Sequence, residues 1–364
     1  MPKLREFKWN SWTQAARDAF VADAPQIIAV DTETTGLGFY DEPFAATLTW
    51  RSPAGELRNW YLDLEDPEGL AFRTGTLRTV LEETPAWVFH NSKFDLQKLK
   101  LIGVIDDEMI ERVELHDTQT LYMLLDENST KGLKDLAVRV LGYDDTIEVE
   151  IKSGKNKGKM KRVPREQHKL NAVRRKLGLK KEDGYHLLPR EVLIPYALRD
   201  TEFTLQLYEV LMPRLRALDD PQLLRLYNDA MTLKRVLLRM EEDGFKLDVP
   251  YTEEKASEYG VRVMEKWDAV VSLVGDPEFN PRSPDQVKAA FSRRGLDLDN
   301  TQEKTLRVLD DALAVALLAY REDFKIHTTY LLGLLRERLG ELIHPHFNDD
   351  GARTGRMSSS SAKE

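Results

Sequence analysis

Apolar residues follow two patterns along this 364-residue chain: short continuous runs in the first part, and helical spacing in the last third. Ile27-Ile28-Ala29-Val30 is too short and uniform for an amphipathic helix and predicts a buried strand over 26–31. Residues 44–51 and 56–64 flank the turn Ser52-Pro53-Ala54-Gly55 and predict an antiparallel hairpin. Another strand is expected at 87–90, with helices at about 75–83, 94–101, 117–126, 132–141 and 195–216. Residues 1–24 read as a helical lead-in whose Trp9 and Trp12 pack onto the first domain. The sum is an α/β layer structure. Beyond residue 216, Asp219-Asp220-Pro221 marks a boundary and long amphipathic helices take over; the one over 227–243 ends at Gly244, a C-cap residue.

Acids placed where the apolar runs stop add chemistry to this outline. Asp31 and Glu33 in DTETTGL stand two apart at the end of the first strand, so both side chains point to one side. Carboxylates forced together repel unless a cation lies between them. Hard oxygen ligands suit Mg²⁺ or Mn²⁺, with water and substrate phosphate in the remaining positions, which implies phosphoryl transfer. HNSKFD puts Asp95 in the first turn of the helix after the 87–90 strand. In IPYALRD, Pro195 suits a first helical position, and Tyr196 and Asp200, four apart, then share a helix face. One acid pair after a strand is usually a turn former; three blocks in this order are a much stronger signal.

On these residues the chain resembles the DEDD superfamily of 3′→5′ exonucleases, in the subclass with a Tyr-x-x-x-Asp motif, and looks like the proofreading domain of family A DNA polymerases. The resemblance covers 25–216: Asp31 and Glu33 match the first motif, Asn91 and Asp95 the second, Tyr196 and Asp200 the third, and HDTQTLYMLLDENSTKGLKDLAVRVLG (116–142) the segment between. It implies a ribonuclease-H-like fold. It also implies two Mg²⁺ or Mn²⁺ ions, one held by Asp31, Glu33 and Asp200, the other by Asp31 with Asp95 mostly through water. Tyr196 and Glu33 would orient the attacking water. Two such ions about 4 Å apart activate a hydroxide and neutralise the leaving oxygen of an in-line displacement. Leu37 matches a position that wedges against the terminal base, although an apolar residue there can equally be core.

The last third is similar to other parts of the same polymerases, in RMEEDGFKLDV (239–249), FNPRSPDQVKAAF (279–291), AYREDFKIHTTYLLGL (319–334) and GARTGRMSSSS (351–361). The likeness implies a mainly α-helical thumb-like region over 217–342 and the start of a palm over 343–364. Palm and fingers are expected to be absent, so polymerase activity is not expected, and 343–364, lacking a packing partner, is expected to be disordered. The short length suits a bacteriophage enzyme. The implied partner is DNA, as a single-stranded 3′ end or a primer–template, with a separate palm-and-fingers chain left open. Two other classes remain: a DNA-binding subunit gripping primer–template through the thumb, Arg353, Arg356 and the basic stretch described next, and a DEDD exoribonuclease.

Composition then narrows the chemistry. With no cysteine, a thiol nucleophile and cysteine-ligated metals are excluded, and the seven histidines show no HExxH spacing. His90 and His116 border the motifs, where a hydrogen-bonded structural histidine is the commoner finding. No apolar run approaches the ~20 residues of a membrane span. The N-terminus lacks the apolar core of a signal peptide, and the cytoplasm is the expected location. Net charge is −9, yet residues 151–181 hold 13 Lys or Arg and one acid, Glu166, for +12 against −21 elsewhere. This basic insertion reads as a mobile excursion whose Lys155, Lys157, Lys159 and Lys161 track a DNA backbone. A solvated insertion with no partner is the other reading.

Overall fold

The computed structural model describes residues 14–65, 67–128, 130–152, 157–180, 183–349 and 356–360. They form two compact units, one running to Asp243 and resuming at Pro345, the other Gly244–His344. Trp9 and Trp12 lie outside the described residues. The first unit starts with helix α1 (Gln14–Asp23) and strands β1 (Ile27–Thr34), β2 (Pro43–Arg51) and β3 (Leu57–Asp63). Then come α2 (Pro67–Glu83), β4 (Ala86–Phe89), α3 (Ser92–Leu101), α4 (Asp107–Arg112), β5 (Glu114–Asp117), α5 (Thr118–Leu125) and α6 (Leu133–Val140). It continues through β6 (Thr146–Glu150), β7 (Met160–Pro164), α7 (Arg165–Lys176), α8 (Arg190–Ala217) and α9 (Pro221–Asp243).

Strand order in the main sheet is β3-β2-β1-β4-β5. β1 pairs antiparallel with β2 and parallel with β4; β2 and β3 are antiparallel, and β4 and β5 parallel. This mixed five-stranded sheet with helices on both faces is a ribonuclease-H-like α/β fold. The run of apolar residues in β1 follows from that placement, because a central strand is covered on both sides. Ile28 and Val30 pack with Leu48, Trp87, Phe89, Leu96 and Leu99, while Ala29 packs with Val88 and Leu205 of α8 on the opposite face. Side chains such as Leu48 and Phe89 have no exposed surface, and each such burial stabilises by roughly 1.5–3 kcal/mol.

The structure departs from the sequence expectations in three places that bear on the site. First, α8 begins after Pro189, so Pro195 lies in its second turn and not at its first position. Pro195 has no N–H to offer the preceding turn, a local loss of the kind that packing of Leu193, Ile194, Ala197 and Leu198 offsets. Second, the basic insertion is ordered where it is described. β6 and β7 pair from Thr146↔Pro164 to Glu150↔Met160, and α7 buries Leu170 against Leu193 and Tyr196. A segment with so few large apolar residues reads as mobile; Leu170 and Val173, one helical turn apart, suffice to anchor it. Third, within 343–364 the strands β10 (His346–Asn348) and β11 (Ser358–Ser360) pair antiparallel. Phe347 N donates to Glu241 Oε1 at 2.7 Å, so the packing partner is α9.

The sequence boundary at residue 217 corresponds to the turn between α8 and α9, and the compact units divide later, after Asp243. Helix α9 stays with the first unit because Tyr227, Met231 and Leu238 join its core. Gly244 follows with φ 62°, the left-handed conformation of a helix C-cap residue. In the second unit, β8 (Phe245–Lys246) pairs with β9 (Leu342–Ile343) around helices α10 (Val249–Val274), α11 (Pro284–Ser292), α12 (Glu303–Arg307), α13 (Ala312–Lys325) and α14 (Leu332–Glu337). Val270, Phe291, Leu306, Leu313 and Leu317 form its separate core.

Candidate active site

Three elements bring the three acid blocks together. β1 carries Asp31 and Glu33 to its end, where a register irregularity against β2 falls between Glu33 and Thr34. A bulge there re-aims side chains at the strand end. The long helix α8 crosses the sheet and presents Tyr196 and Asp200, both buried. Oxygen atoms of Asp31, Glu33 and Asp200 all lie within 4.8 Å of one another. Asp95, in the first turn of α3, is 3 % exposed and accepts from Thr32 N at 2.8 Å and Thr32 Oγ1 at 2.7 Å. Those bonds hold it beside β1, within electrostatic reach of Asp31.

A fifth side chain, Lys134 from the first turn of α6, completes the cluster. Its ammonium is ion-paired with Asp200 and stands 4.3 Å from the centre of the Tyr196 ring. The Tyr185 ring meets Tyr196 edge to face at 5.8 Å. The proton affinities of the cluster record its burial first, which the one ammonium offsets only in part. Burial pushes Glu33 up to about 8, with the Asp31 charge adding to the rise. It pushes Asp31 up to about 6 against the pull of Lys134. Asp95 is held well above the usual carboxylate range by burial and by Asp31. Burial also lowers Lys134 to about 8, despite the attraction of Asp31 and Glu33. Shifts of this kind mark a site where a divalent cation would restore the charged carboxylates. Three hard oxygen donors converging on one point, with an ammonium standing among them, fit such an ion.

The remaining sequence candidates are spread more widely. Asn91 precedes α3 in the left-handed conformation, φ 75°, and its side chain makes no capping bond to the helix; its N–H donates to Asp117 at 3.2 Å. Leu37 lies in the loop after β1 and is 61 % exposed, so it is not core. Lys157, Lys159, Lys161 and Arg356 are exposed, while Lys155 and Arg353 lie outside the described residues.

Residues 13–216 match the family model of the 3′-5′ exonuclease of A-type DNA polymerases, more than half of the chain. The chain belongs to this family. Among its relatives, the DNA polymerase of Escherichia phage T5 is 29 % identical over 312 residues, covering 78 % of this chain and 34 % of that protein. DNA polymerase I of Chloroflexus aurantiacus is 30 % identical over 297 residues, 74 % of this chain and 27 % of the relative. DNA polymerase DpoZ of Vibrio phage phiVC8 is 25 % identical over 366 residues, 92 % of this chain and 54 % of the relative. The chain thus spans about a quarter to a half of the relatives it matches. Among solved structures, the polymerase domain of Pol1 from M. smegmatis, in complex with DNA primer-template and dNTP, aligns with a TM-score of 0.68 at 20 % identity. That alignment covers 97 % of this chain and 54 % of that one, a likeness of fold. Exonuclease domains of this type are metal-dependent, in keeping with the carboxylate cluster.

Sequence reading of this exonuclease missed the supporting shell. Lys98 Nζ donates to the carbonyls of Gly38 at 2.6 Å and Phe39 at 3.1 Å, and Gln97 donates to Phe39 O at 2.8 Å, so α3 fastens the loop that carries Leu37. Thr32, between the two acids of the first motif, is what holds Asp95. Lys134 had one legible signal: a cation in a helix's first turn opposes the helix dipole, a placement that calls for local anions. Among the described residues, no helix is long and apolar enough to cross a membrane.

Proposed function

We propose that this protein hydrolyses single-stranded DNA from its 3′ end with two Mg²⁺ or Mn²⁺ ions, releasing nucleoside 5′-monophosphates as the proofreading part of a family A DNA polymerase. The observation that carries the proposal is the convergence of Asp31, Glu33 and Asp200 at the end of β1, with Asp95 alongside. When bound, the metals supply a hydroxide nucleophile and neutralise the leaving oxygen. Asp31, Glu33 and Asp200 would hold one ion, and Asp31, with Asp95 mostly through water, the other. Tyr196 stays a neutral phenol, because burial and the neighbouring Glu33 hold its pKa well above the ordinary value. It therefore donates a hydrogen bond that, with Glu33, orients the attacking water. Leu37, exposed on its anchored loop, wedges against the terminal base, and Asn91 contacts the DNA strand.

The basic insertion supplies an electrostatic track for the strand, through Lys155, Lys157, Lys159 and Lys161, and Arg353 and Arg356 contact primer–template DNA. Neutralising the four lysines should leave turnover at saturating DNA nearly unchanged. It should flatten the salt dependence of binding by about 0.7 units of slope per lost phosphate contact. An unchanged slope would make the insertion a solvated one with no partner.

The deciding assay uses 5′-labelled single-stranded DNA and RNA of one sequence, with Asp31→Ala as control. DNA should shorten from its 3′ end in Mg²⁺ and stop in chelator. Preference for RNA would make the protein an exoribonuclease. DNA binding without hydrolysis would make it a binding subunit.

A further inference from the structure

Lys134 is not among the groups that the acid motifs bring to the site. Its stem leaves α6 in the first turn, where the helix dipole disfavours a cation, and its ammonium lies against Asp200. Asp31, Glu33 and Glu166 all attract it electrostatically, and the Tyr196 ring is 4.3 Å away. The side chain is 18 % exposed, so the flexible four-carbon stem reaches solvent without unfolding of the helix. Glu166 lies outside the metal-ligand set, in the first turn of α7, and accepts from the Tyr143 hydroxyl at 3.2 Å. It draws the ammonium away from the three clustered acids, while itself standing 3.7 Å from Arg199.

We propose that Lys134 is the resident counter-cation of the carboxylate cluster and that a divalent metal binds by displacing it, so that Lys134 sets the metal affinity of the exonuclease site. The inference rests on the metal-site reading above. Without metal, the ammonium neutralises part of the carboxylate charge and keeps the acids from splaying. A divalent ion entering among the same oxygens would stand beside the ammonium on Asp200, and the two cations repel. Displacement toward Glu166 relieves the repulsion and makes metal loading a competition.

The test is Mn²⁺ binding by isothermal titration calorimetry on the full chain, without DNA, so that no catalytic step enters. Lys134→Met keeps the stem and removes the competitor, and should tighten Mn²⁺ binding by at least about tenfold. The Mn²⁺-induced rise in Tm should grow correspondingly. Lys134→Arg keeps the charge, pairs with Asp200 through two N–H groups, and should bind Mn²⁺ no tighter than wild type. Unchanged or weaker Mn²⁺ binding in Lys134→Met overturns the proposal, as does tighter binding in Lys134→Arg if the methionine variant does not fold. Asp31→Asn separates this inference from the reading beneath it. Wild type and Asp31→Asn binding Mn²⁺ alike, or neither binding it, would remove the metal site itself; loss of binding in Asp31→Asn alone leaves the lysine question to the two Lys134 variants.

Discussion

Two buried charge clusters lie in the first unit, and their acids are compensated to different degrees. At the site, Asp31, Glu33 and Asp200 face one ammonium, Lys134. Where β5, α3 and α9 meet, Asp117, Glu241 and Asp349 share two. Lys234 stands 3.3 Å from Asp117 and 3.1 Å from Asp349, and Lys93 stands 2.6 Å from Glu241. Asp117 also accepts from Ser92 N at 2.7 Å, Ser92 Oγ at 2.9 Å and Gln119 N at 2.9 Å. Burial alone would push Asp117 up, but Lys234 and the Ser92 donors hold it far below the usual carboxylate range. In one cluster the acids are raised, in the other the central acid is depressed. The less compensated cluster is the one that suits the proposed divalent cation, whereas the clamp already holds two lysines of its own.

Removing an acid should act in opposite ways on the two clusters. Asp31→Asn should lower exonuclease activity by at least about a thousandfold, since on the proposed reading it removes a direct metal ligand. Its Tm in chelator should stay level or rise, because one of several repelling carboxylates is gone. Asp117→Asn should instead lower Tm, because it removes the charged acceptor shared by Lys234, Ser92 and Gln119. If Asp31→Asn unfolds as readily as Asp117→Asn, the site acids are structural and the contrast fails.

Cations sharpen the same point. Lys234 is 1 % exposed and paired on two sides, so Lys234→Met leaves buried carboxylates without their partner and should cost about 3–5 kcal/mol in urea unfolding. Lys134→Met, at the wetter edge of a cluster whose acids readily take up protons, should cost far less. Equal losses would show that both lysines serve folding alone.

How much of this was legible in the sequence depended on distance along the chain. The strands, their acids and the Tyr196–Asp200 face could be read because each signal lies within a few residues, although β1 runs on to Thr34, three residues past the expected end at Asp31. Pro195 misled because proline is favoured at a helix start, and nothing local announces that α8 begins after Pro189. The clamp could not be read at all, since Lys93 meets Glu241 across 148 positions and the Phe347 carbonyl across 254. The order of residues 346–348 depends on that same clamp, which explains why the terminal segment was expected to be disordered.

Tyr196→Phe probes the site cluster without changing its charge. The ring stays beneath the Lys134 ammonium and against Tyr185, so Mn²⁺ affinity and Tm should hold. Turnover should fall by roughly 10- to 1000-fold, the loss expected for one oriented hydrogen bond. Full activity would make the phenol a packing group.

The smallest expected effect comes from the edge of the balanced cluster, at His116. Its Nδ1 lies 3.1 Å from the Tyr227 hydroxyl, which also accepts from Asp117 N at 3.2 Å, and its Nε2 lies 3.1 Å from the Tyr208 hydroxyl. Burial lowers its pKa to about 4, with Arg216 adding to the fall and Glu114 opposing it. The unfolded chain takes up the proton near 6.5, whereas the folded protein resists until about 4. As pH drops through that window the unfolded state binds more protons, so stability present above 6.5 is lost progressively, by roughly 2–3 kcal/mol at most. The raised acids of the site, Asp31 and Glu33, act with the opposite sign in metal-free protein, because the folded state binds their protons more tightly. Comparing wild type with His116→Gln cancels that background. Urea unfolding in chelator between about pH 7.5 and 4.5 should show the stability difference between the two proteins shifting in favour of the variant as pH falls. A constant difference across the window would mean that His116 takes up its proton in the fold, and that the clamp tolerates a charge its balance should exclude.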